Sequence, residues 1–364
     1  MNLLDTISYA SRLFRKSGPP IQLTYFLTSR CNLRCAHCFY WKELDGDHSH
    51  ELSLDEITKV ASSLPRLLVL SLTGGEPFVR RDIGDVMSIF CEKTRPHIIT
   101  MSTNGYYLKN MTNSLGKVLE KYPSTHFIIY LSIDGPELIH DKIRGAGSHL
   151  KAMEALRALQ PMREKYKNFS ISVAMTCNRI NEKYLPDTFR ELEESNLVEN
   201  VNIGFIRGNP KDPMTKKVGL DSYQKLTSMK VDSIQSRKLT YFKFLLSRLV
   251  SNKDYYTYKI VEEVIKADKF VTTCYAGSLF GVLYDDGKLS PCEILEDTQF
   301  GNIRDFNYNL PKMWNSKNGK AIRNKIIKGK CYCTFECAMS SNILFNPIYL
   351  AKSTLRSIRS IKLR

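Results

Sequence analysis

Cys31-Asn32-Leu33-Arg34-Cys35-Ala36-His37-Cys38, followed by Phe39-Tyr40-Trp41, is the stretch of this 364-residue sequence on which its interpretation depends. The three cysteines follow directly after an apolar segment at residues 21–29. Four-cysteine sites commonly bind zinc or an iron–sulfur cluster, so three close cysteines leave such a site one ligand short. A metal centre needs an open position when a molecule other than the protein must bind it. The alternatives are a structural metal site with a distant fourth ligand, and three reduced cysteines in a core.

Composition favours a globular protein with metal-binding cysteines. Hydrophobic residues make up 43% of the sequence and charged residues 25%. Eight of the ten cysteines form two groups, and Cys91 and Cys177 stand alone. The first twenty residues lack the apolar core of a signal peptide, and no apolar run is long enough to span a bilayer. Cysteine groups in such a chain favour metal over disulfides, so we expect a cytoplasmic protein.

The formal charge of +16 is high for an enzyme with small neutral substrates. It favours a partner with phosphates or an anionic membrane surface, although lysines spread over a solvated exterior would give the same charge. Residues 1–16 and 348–364 both show apolar residues at helical spacing together with basic ones. Each segment either packs on its own domain or lies on a membrane, so we also consider peripheral contact with an anionic membrane.

The middle of the chain repeats one unit, in which an apolar run is followed by a loop and then by an amphipathic stretch. Six such units predict parallel strands joined by helices, because parallel strands buried on both faces are continuously apolar. One helix should begin at Ser53, which forms a capping box with Glu56. We therefore predict an α/β protein with a partial (β/α)6 TIM-like barrel. The predicted strands are residues 21–29, 67–73, 97–103, 126–134, 169–176 and 201–207.

Polar motifs stand where the predicted strands end. Strand one leads into the three cysteines, and strand two ends in Thr73-Gly74-Gly75-Glu76-Pro77. Strand three ends in Ser102-Thr103-Asn104-Gly105, and strand four in Ser132-Ile133-Asp134-Gly135-Pro136. Each motif alone reads as turn chemistry. Their coincidence at the carboxyl ends of parallel strands predicts an active site at one rim of the barrel.

A second group of cysteines follows the barrel: Cys274, Cys292, Cys331, Cys333 and Cys337. Residues 280–284, the turn 285–287 and residues 288–291 predict a hairpin. Five cysteines are enough for one four-cysteine site with one to spare, and spacing alone does not choose between zinc and iron–sulfur. We predict a small cysteine-rich α+β extension after the barrel. The expected divisions are 1–20, an amphipathic helix; 21–208, the core; 209–270, a helical bridge; 271–342, the extension; and 343–364, a basic tail.

The first cysteine run resembles the signature of radical S-adenosylmethionine (SAM) enzymes, in which an aromatic residue or histidine, here His37, precedes the last cysteine. The resemblance extends through Gly74-Gly75-Glu76-Pro77 to Asp134 and covers about residues 20 to 210. It implies that Cys31, Cys35 and Cys38 hold a [4Fe–4S] cluster with one free iron, which SAM would chelate. Reductive cleavage would then give methionine and a 5′-deoxyadenosyl radical that removes a hydrogen atom from a substrate.

The resemblance also implies contacts to SAM. The backbone at Gly74 and Gly75 would approach the methionine amino group, with Glu76 as a charge partner, and Arg144 would pair with the carboxylate. Ser132 and Asp134 would face the ribose hydroxyls, and Tyr40 would lie near the adenine. We add Pro77 and Asn104, from the same strand-end motifs, to the expected SAM-binding residues.

The second cysteine group resembles the SPASM/twitch extension found in part of that family. The match rests on Cys274, Gly287 and Cys292, while only the spacing between Cys333 and Cys337 survives from the later pattern. Five cysteines are too few for two clusters. We therefore expect one auxiliary [4Fe–4S] cluster, held by Cys274, Cys292, Cys337 and either Cys333 or Cys331. An electron donor such as flavodoxin or ferredoxin is the implied partner.

Three functional hypotheses follow. The first is modification of a peptide or protein side chain, although the short sequence before residue 21 leads us to expect no fused leader-peptide-binding domain. The second is a small-molecule substrate, sugar-like or lipid-like, which the basic excess favours. The third is a non-enzymatic zinc or iron–sulfur protein that binds nucleic acid. We do not expect nucleic acid, because no basic patch interleaved with stacking aromatic residues is evident.

Overall fold

Nine strands form one sheet in the computed structural model, which describes residues 12, 18–236, 238–239, 247–295 and 297–362. Their order is β6-β5-β4-β3-β2-β1-β7-β8-β9. Strands β1 to β6 are parallel and neighbours in sequence are neighbours in the sheet, as the predicted barrel requires. The bounds are β1 Gln22–Phe26, β2 Val69–Thr73, β3 Ile98–Thr103, β4 His126–Ser132, β5 Phe169–Cys177, β6 Asn200–Phe205, β7 Phe280–Leu283, β8 Lys288–Ser290 and β9 Gly301–Asn302.

Helices connect the strands and continue through the extension. The predicted capping box is confirmed, since Ser53 accepts from the Glu56 N–H and the Glu56 side chain accepts from the Ser53 N–H. The described helices are α1 Leu54–Ser63, α2 Ile83–Thr94, α3 Leu108–Leu119, α4 Glu137–Arg144, α5 Ser148–Ala158, α6 Gln160–Lys165, α7 Leu185–Glu194, α8 Leu220–Ser236, α9 Ser247–Ala267, α10 Leu310–Trp314, α11 Lys317–Lys328, α12 Glu336–Leu344 and α13 Pro347–Lys362.

The sheet runs through both the predicted barrel and the predicted extension. Strands β7 and β8 pair in antiparallel fashion, which confirms the hairpin expected around residues 280–291. Strand β7 also pairs in parallel with β1, with Phe280 opposite Gln22. The extension is therefore joined by backbone hydrogen bonds to the strand that leads into the first cysteines.

The two termini bear on the predicted membrane contact. The predicted helix at residues 1–16 lies outside the described residues except for Arg12. In α13, Ser353 is buried and the Tyr349 ring lies 5.8 Å from the Tyr256 ring of α9, while Leu355 is exposed. No described helix is both long enough and apolar enough to cross a membrane.

Candidate functional site

The first three cysteines lie on the loop that follows β1, and neighbouring strand ends hold this loop in place. The Ala36 N–H donates to the Ile143 carbonyl at 2.8 Å, and the Lys211 N–H donates to the Cys38 carbonyl at 3.0 Å. All three thiols are half-buried. The end of α4 and the loop after β6 therefore fix the backbone that carries the cysteines.

Burial governs the chemistry of these thiols. It raises the pKa of Cys31 to about 12 and that of Cys38 to about 11, and it also raises the pKa of Cys35. Arg144 opposes the shift at Cys35, because its Nη1 lies 4.0 Å from that sulfur. Only the thiolate binds metal, so these cysteines ionise when a cationic centre compensates their charge.

The Gly74-Gly75 pair lets two backbone segments meet. The Gly75 N–H donates to the Thr28 carbonyl at 2.8 Å, and the Glu76 N–H donates to the Arg30 carbonyl at 2.9 Å. A Cβ would lie 2.3 Å from the Thr28 oxygen at Gly74, and 2.2 Å from the Arg30 oxygen at Gly75. The contact that the structure shows is thus with the segment leading into Cys31.

Glu76 connects the ends of β2 and β3. Its buried carboxylate accepts from the Asn104 N–H at 2.8 Å and from the Thr103 hydroxyl at 2.8 Å. Burial raises its pKa to about 7. The Asn104 side chain in turn donates to Asn32 Oδ1 at 2.9 Å. This chain of hydrogen bonds reaches the cysteine loop, and Pro77 begins the 3-10 turn Pro77–Val79 beside it.

Asp134 and Arg144 form a buried ion pair beneath the same loop. Arg144 Nε donates to Asp134 Oδ2 at 2.6 Å, and the Thr176 N–H donates to Oδ1 at 2.7 Å. Burial alone would raise the pKa of Asp134, but the attraction of Arg144 outweighs it and the pKa is lowered. His37 Nε2 lies 3.7 Å from Oδ2. Its Nδ1 is buried and has no hydrogen-bond partner among the described residues.

The remaining predicted SAM contacts also lie near this loop. The Tyr40 ring packs on Phe26 with a centroid separation of 4.8 Å and stacks on Tyr284 at 6.2 Å. Ser132 is half-buried at the end of β4. Their contacts to SAM, and those of Gly74, Gly75, Glu76, Pro77, Asn104, Asp134 and Arg144, stay predictions, because the hydrogen bonds observed at Glu76 and Asp134 are all with the protein.

The structure groups four of the five later cysteines. The thiols of Cys274 and Cys331 share a hydrogen bond, which raises the pKa of Cys274 and lowers that of Cys331 to about 7. Cys292 has both Cys333 and Cys331 as electrostatic neighbours. Cys337, in the first turn of α12, is exposed. Among the residues with described positions, no three His, Cys, Asp or Glu side chains are placed to hold a single metal ion.

Sequence reasoning missed a bridge between the two cysteine groups. The Arg207 guanidinium lies between the rings of Phe39 and Phe335, 4.6 and 4.5 Å from their centroids. Its Nη2 lies 3.4 Å from Glu293 Oε2. Phe39 follows Cys38, and Glu293 follows Cys292. The available signal was the place of Arg207 just after β6, at the rim where the other polar motifs stand.

The model of the Radical SAM superfamily matches residues 25–192, so the chain contains a radical SAM domain. The match begins within β1 and reaches into α7, and it includes the cysteine loop, the Gly-Gly-Glu-Pro turn and the Asp134–Arg144 pair. Such a domain implies a [4Fe–4S] cluster and SAM.

Curated relatives share this part of the chain. Fe-coproporphyrin III synthase of Methanosarcina barkeri is 30% identical over 187 residues, which are 50% of this chain and 43% of that protein. Mycofactocin maturase MftC of Mycolicibacterium smegmatis is 29% identical over 168 residues, 45% of this chain and 40% of that protein. The chain thus spans less than half the length of these two relatives. A probable GTP 3′,8-cyclase of Archaeoglobus fulgidus is 28% identical over 284 residues, 75% of this chain and 85% of that protein.

Solved structures share the fold. Streptococcus suis SuiB bound to its precursor peptide SuiA has a TM-score of 0.61 at 15% identity, covering 88% of this chain and 71% of that one. The enzyme anSMEcpe with bound AdoMet has a TM-score of 0.57 at 17% identity, covering 95% of both chains. These similarities confirm the predicted α/β barrel architecture.

Proposed function

We propose that the radical SAM domain at residues 25–192 makes this chain an enzyme that reductively cleaves SAM and removes a hydrogen atom from a substrate. The observation that carries the proposal is the loop of three half-buried thiols, Cys31, Cys35 and Cys38, beside the Arg144 guanidinium. The family match supports it independently.

The residues present fit a [4Fe–4S] cluster. Three thiols on one loop supply three ligands, Arg144 offsets part of their negative charge, and the unpartnered Nδ1 of His37 lies beside them. When bound, such a cluster supplies one-electron reduction of the SAM sulfonium, which yields methionine and a 5′-deoxyadenosyl radical.

The chain itself positions the loop and protects it. Asp134 fixes Arg144 from below, so the guanidinium stays beside Cys35. Glu76 and Asn104 brace the other side through Asn32. Both carboxylates are buried, and their hydrogen bonds hold the loop without exposing it to water.

For the substrate we propose a peptide or protein side chain. Support comes from the maturase MftC among the relatives and from SuiB, solved with a precursor peptide, among the similar folds. A small anionic metabolite is the second candidate, which the formal charge of +16 and the coproporphyrin synthase relative favour. Peripheral contact with an anionic membrane has no further support and stays a prediction.

We further propose one auxiliary [4Fe–4S] cluster in the extension, with Cys274, Cys292, Cys331 and Cys333 as ligands. The hydrogen bond between Cys274 and Cys331 and the proximity of Cys292 to Cys333 support this set. It differs from the set expected from spacing, which included Cys337. The proposed divisions remain a core at 21–208, a bridge at 209–270 and an extension at 271–342.

Anaerobic reconstitution with iron and sulfide tests the proposal. We expect iron–sulfur absorbance, and formation of 5′-deoxyadenosine when SAM and dithionite are both present. Cys31→Ala should abolish SAM cleavage, while Cys91→Ala, which changes a buried cysteine on α2, should retain it. A zinc-only protein that never cleaves SAM would refute the enzymatic function.

A further inference from the structure

A recess of about 550 Å³ opens beside the first cysteine loop. Three chain segments line it: residues 32–36 of the loop, the carboxyl end of α4 with Gly145, and residues 211–212 after β6. The segments are joined by the Ala36–Ile143 and Lys211–Cys38 hydrogen bonds and by a third, from the Asp212 N–H to the Ala36 carbonyl at 2.8 Å. The recess is therefore rigidly attached to the backbone that carries Cys31, Cys35 and Cys38.

The charge that this recess presents is basic. Asp141 is engaged by the chain itself, accepting from the Gly147 N–H at 2.6 Å and the His149 N–H at 2.8 Å. Asp212 accepts from the Met214 N–H at 2.9 Å. Lys142 and Lys211 are exposed, and within the described part of the chain no carboxylate forms an ion pair with either. Two free ammonium groups thus flank the cysteine loop.

We propose that this recess, with Lys142 and Lys211 at its rim, is the docking surface for an acidic one-electron carrier protein of the flavodoxin class. The inference rests on the proposed function and adds the place where reducing equivalents enter. One electron leaves the reduced flavin and enters the cluster on the cysteine loop, so the carrier is oxidised by one electron and the cluster is reduced by one. No bond forms or breaks in this transfer.

The shape and lining of the recess favour a broad acidic surface over a small anion or a nucleic acid. Helix α4 ends here, and the carboxyl end of a helix carries partial negative charge, which disfavours a small anion held at close range. The lining contains no aromatic side chain, whereas single-stranded nucleic acids are bound on stacking platforms. Flexible lysines at a rim suit an acidic protein surface, where charge steers the encounter and makes its rate salt-dependent.

The test compares two variants of the reconstituted holoenzyme with the same change in net charge. Lys142→Glu/Lys211→Glu reverses the rim. Lys93→Glu/Lys167→Glu reverses two exposed lysines beside the amino ends of β3 and β5, at the opposite end of the parallel strands. Binding of an acidic flavodoxin is followed by flavin fluorescence, and reduction of the cluster is followed by stopped-flow absorbance with either reduced flavodoxin or dithionite as donor.

We expect the rim variant to bind flavodoxin about tenfold more weakly and to be reduced by it about tenfold more slowly at low salt, with the difference shrinking at high salt. Lys142→Gln/Lys211→Gln should give an intermediate effect. Reduction by dithionite and dithionite-driven SAM cleavage should match the wild type, and the control variant should behave as wild type with both donors.

Equal flavodoxin rates in the rim and control variants would overturn the inference. So would an equal loss with flavodoxin and dithionite, because the recess would then belong to the SAM or substrate site. Failure of the wild-type protein to form a cluster or cleave SAM with dithionite would instead refute the proposed function, which separates the two claims.

Discussion

Arg207 and Glu293 form an ion pair, with Nη2 and Oε2 3.4 Å apart, between the two groups of cysteines. The Glu293 side chain is 10% exposed and the Arg207 side chain 26%, so water screens the pair only in part. Phe39 and Phe335 cover the two faces of the guanidinium. One planar cation thus joins the loop after β1 to the extension through stacking and through charge.

Removing this cation should destabilise the protein. Arg207→Met leaves Glu293 largely buried without a partner, and breaking such a pair costs about 3–5 kcal/mol. Arg207→Lys keeps the charge but loses the stacking on both rings, so its cost should be smaller, about 1–2 kcal/mol. Urea unfolding under anaerobic conditions measures both. In Arg207→Met/Glu293→Gln much of the loss should return, and a double variant no more stable than Arg207→Met would contradict the pairing.

Substitution of the paired glycines should disturb the approach to Cys31. Gly74→Ala and Gly75→Ala each place a Cβ within 2.3 Å of a carbonyl oxygen of residues 28–30, and Gly74 also has φ of +129°. We expect each to lower the free energy of unfolding by about 2–3 kcal/mol and to lower iron retention. The matched control is Gly116→Ala in α3, where a Cβ meets nothing within 4 Å. That change should stabilise by up to about 1 kcal/mol. Equal stability of all three variants would rule out the close approach.

Much of the barrel could be predicted from the sequence because its signals are local. Parallel strands buried on both faces are continuously apolar, and polar motifs mark the ends of β1 to β4. The capping box at Ser53 and the hairpin around Gly287 each depend on a few adjacent residues, and both are confirmed. The pairing of β7 with β1 was not predicted, because contacts between distant short strands leave no pattern in either segment.

The site was predictable in its members but less so in its contacts. Cysteine spacing and strand ends pointed to Cys31, Glu76 and Asp134. The contacts of Arg207 with Phe39 and Glu293 depend on how three separate segments pack, and that packing is set by tertiary structure. The same reason separates the auxiliary set expected from spacing from the set that the fold brings together.

Single substitutions in the extension distinguish the two auxiliary sets. If Cys331 and Cys333 are both ligands, Cys331→Ala and Cys333→Ala should each lose one cluster, about four iron atoms per chain. Cys337→Ala should keep its iron, since that side chain is exposed at the start of α12. Iron quantification with electron paramagnetic resonance of the reduced protein measures the outcome. Loss of the auxiliary signal in Cys337→Ala would restore the set inferred from spacing.

Glu56 links α1 to the extension through charge, and this link should depend on pH. Its Oε1 accepts from Arg304 Nε at 2.7 Å and from the Tyr308 hydroxyl at 3.0 Å. The hydrogen bond from Arg304 is the largest cause that lowers the pKa of Glu56 from 4.5 to about 2. A carboxylate with a lowered pKa stabilises the folded state fully above its unfolded pKa, and this stabilisation is lost as pH falls through the folded pKa.

Wild type should therefore exceed Glu56→Gln in stability near neutral pH, and the difference should shrink between about pH 4.5 and about pH 2. We expect about 1–2 kcal/mol at the plateau, because solvent screening reduces the value of a pair near the surface. Urea unfolding across this pH range measures the difference. Asp55→Asn is the control, since Asp55 is in the same helical turn but its side chain is 73% exposed. A wild-type advantage that stayed constant down to about pH 2 would show that the hydrogen bonds alone, and not the charge on Glu56, hold the extension against α1.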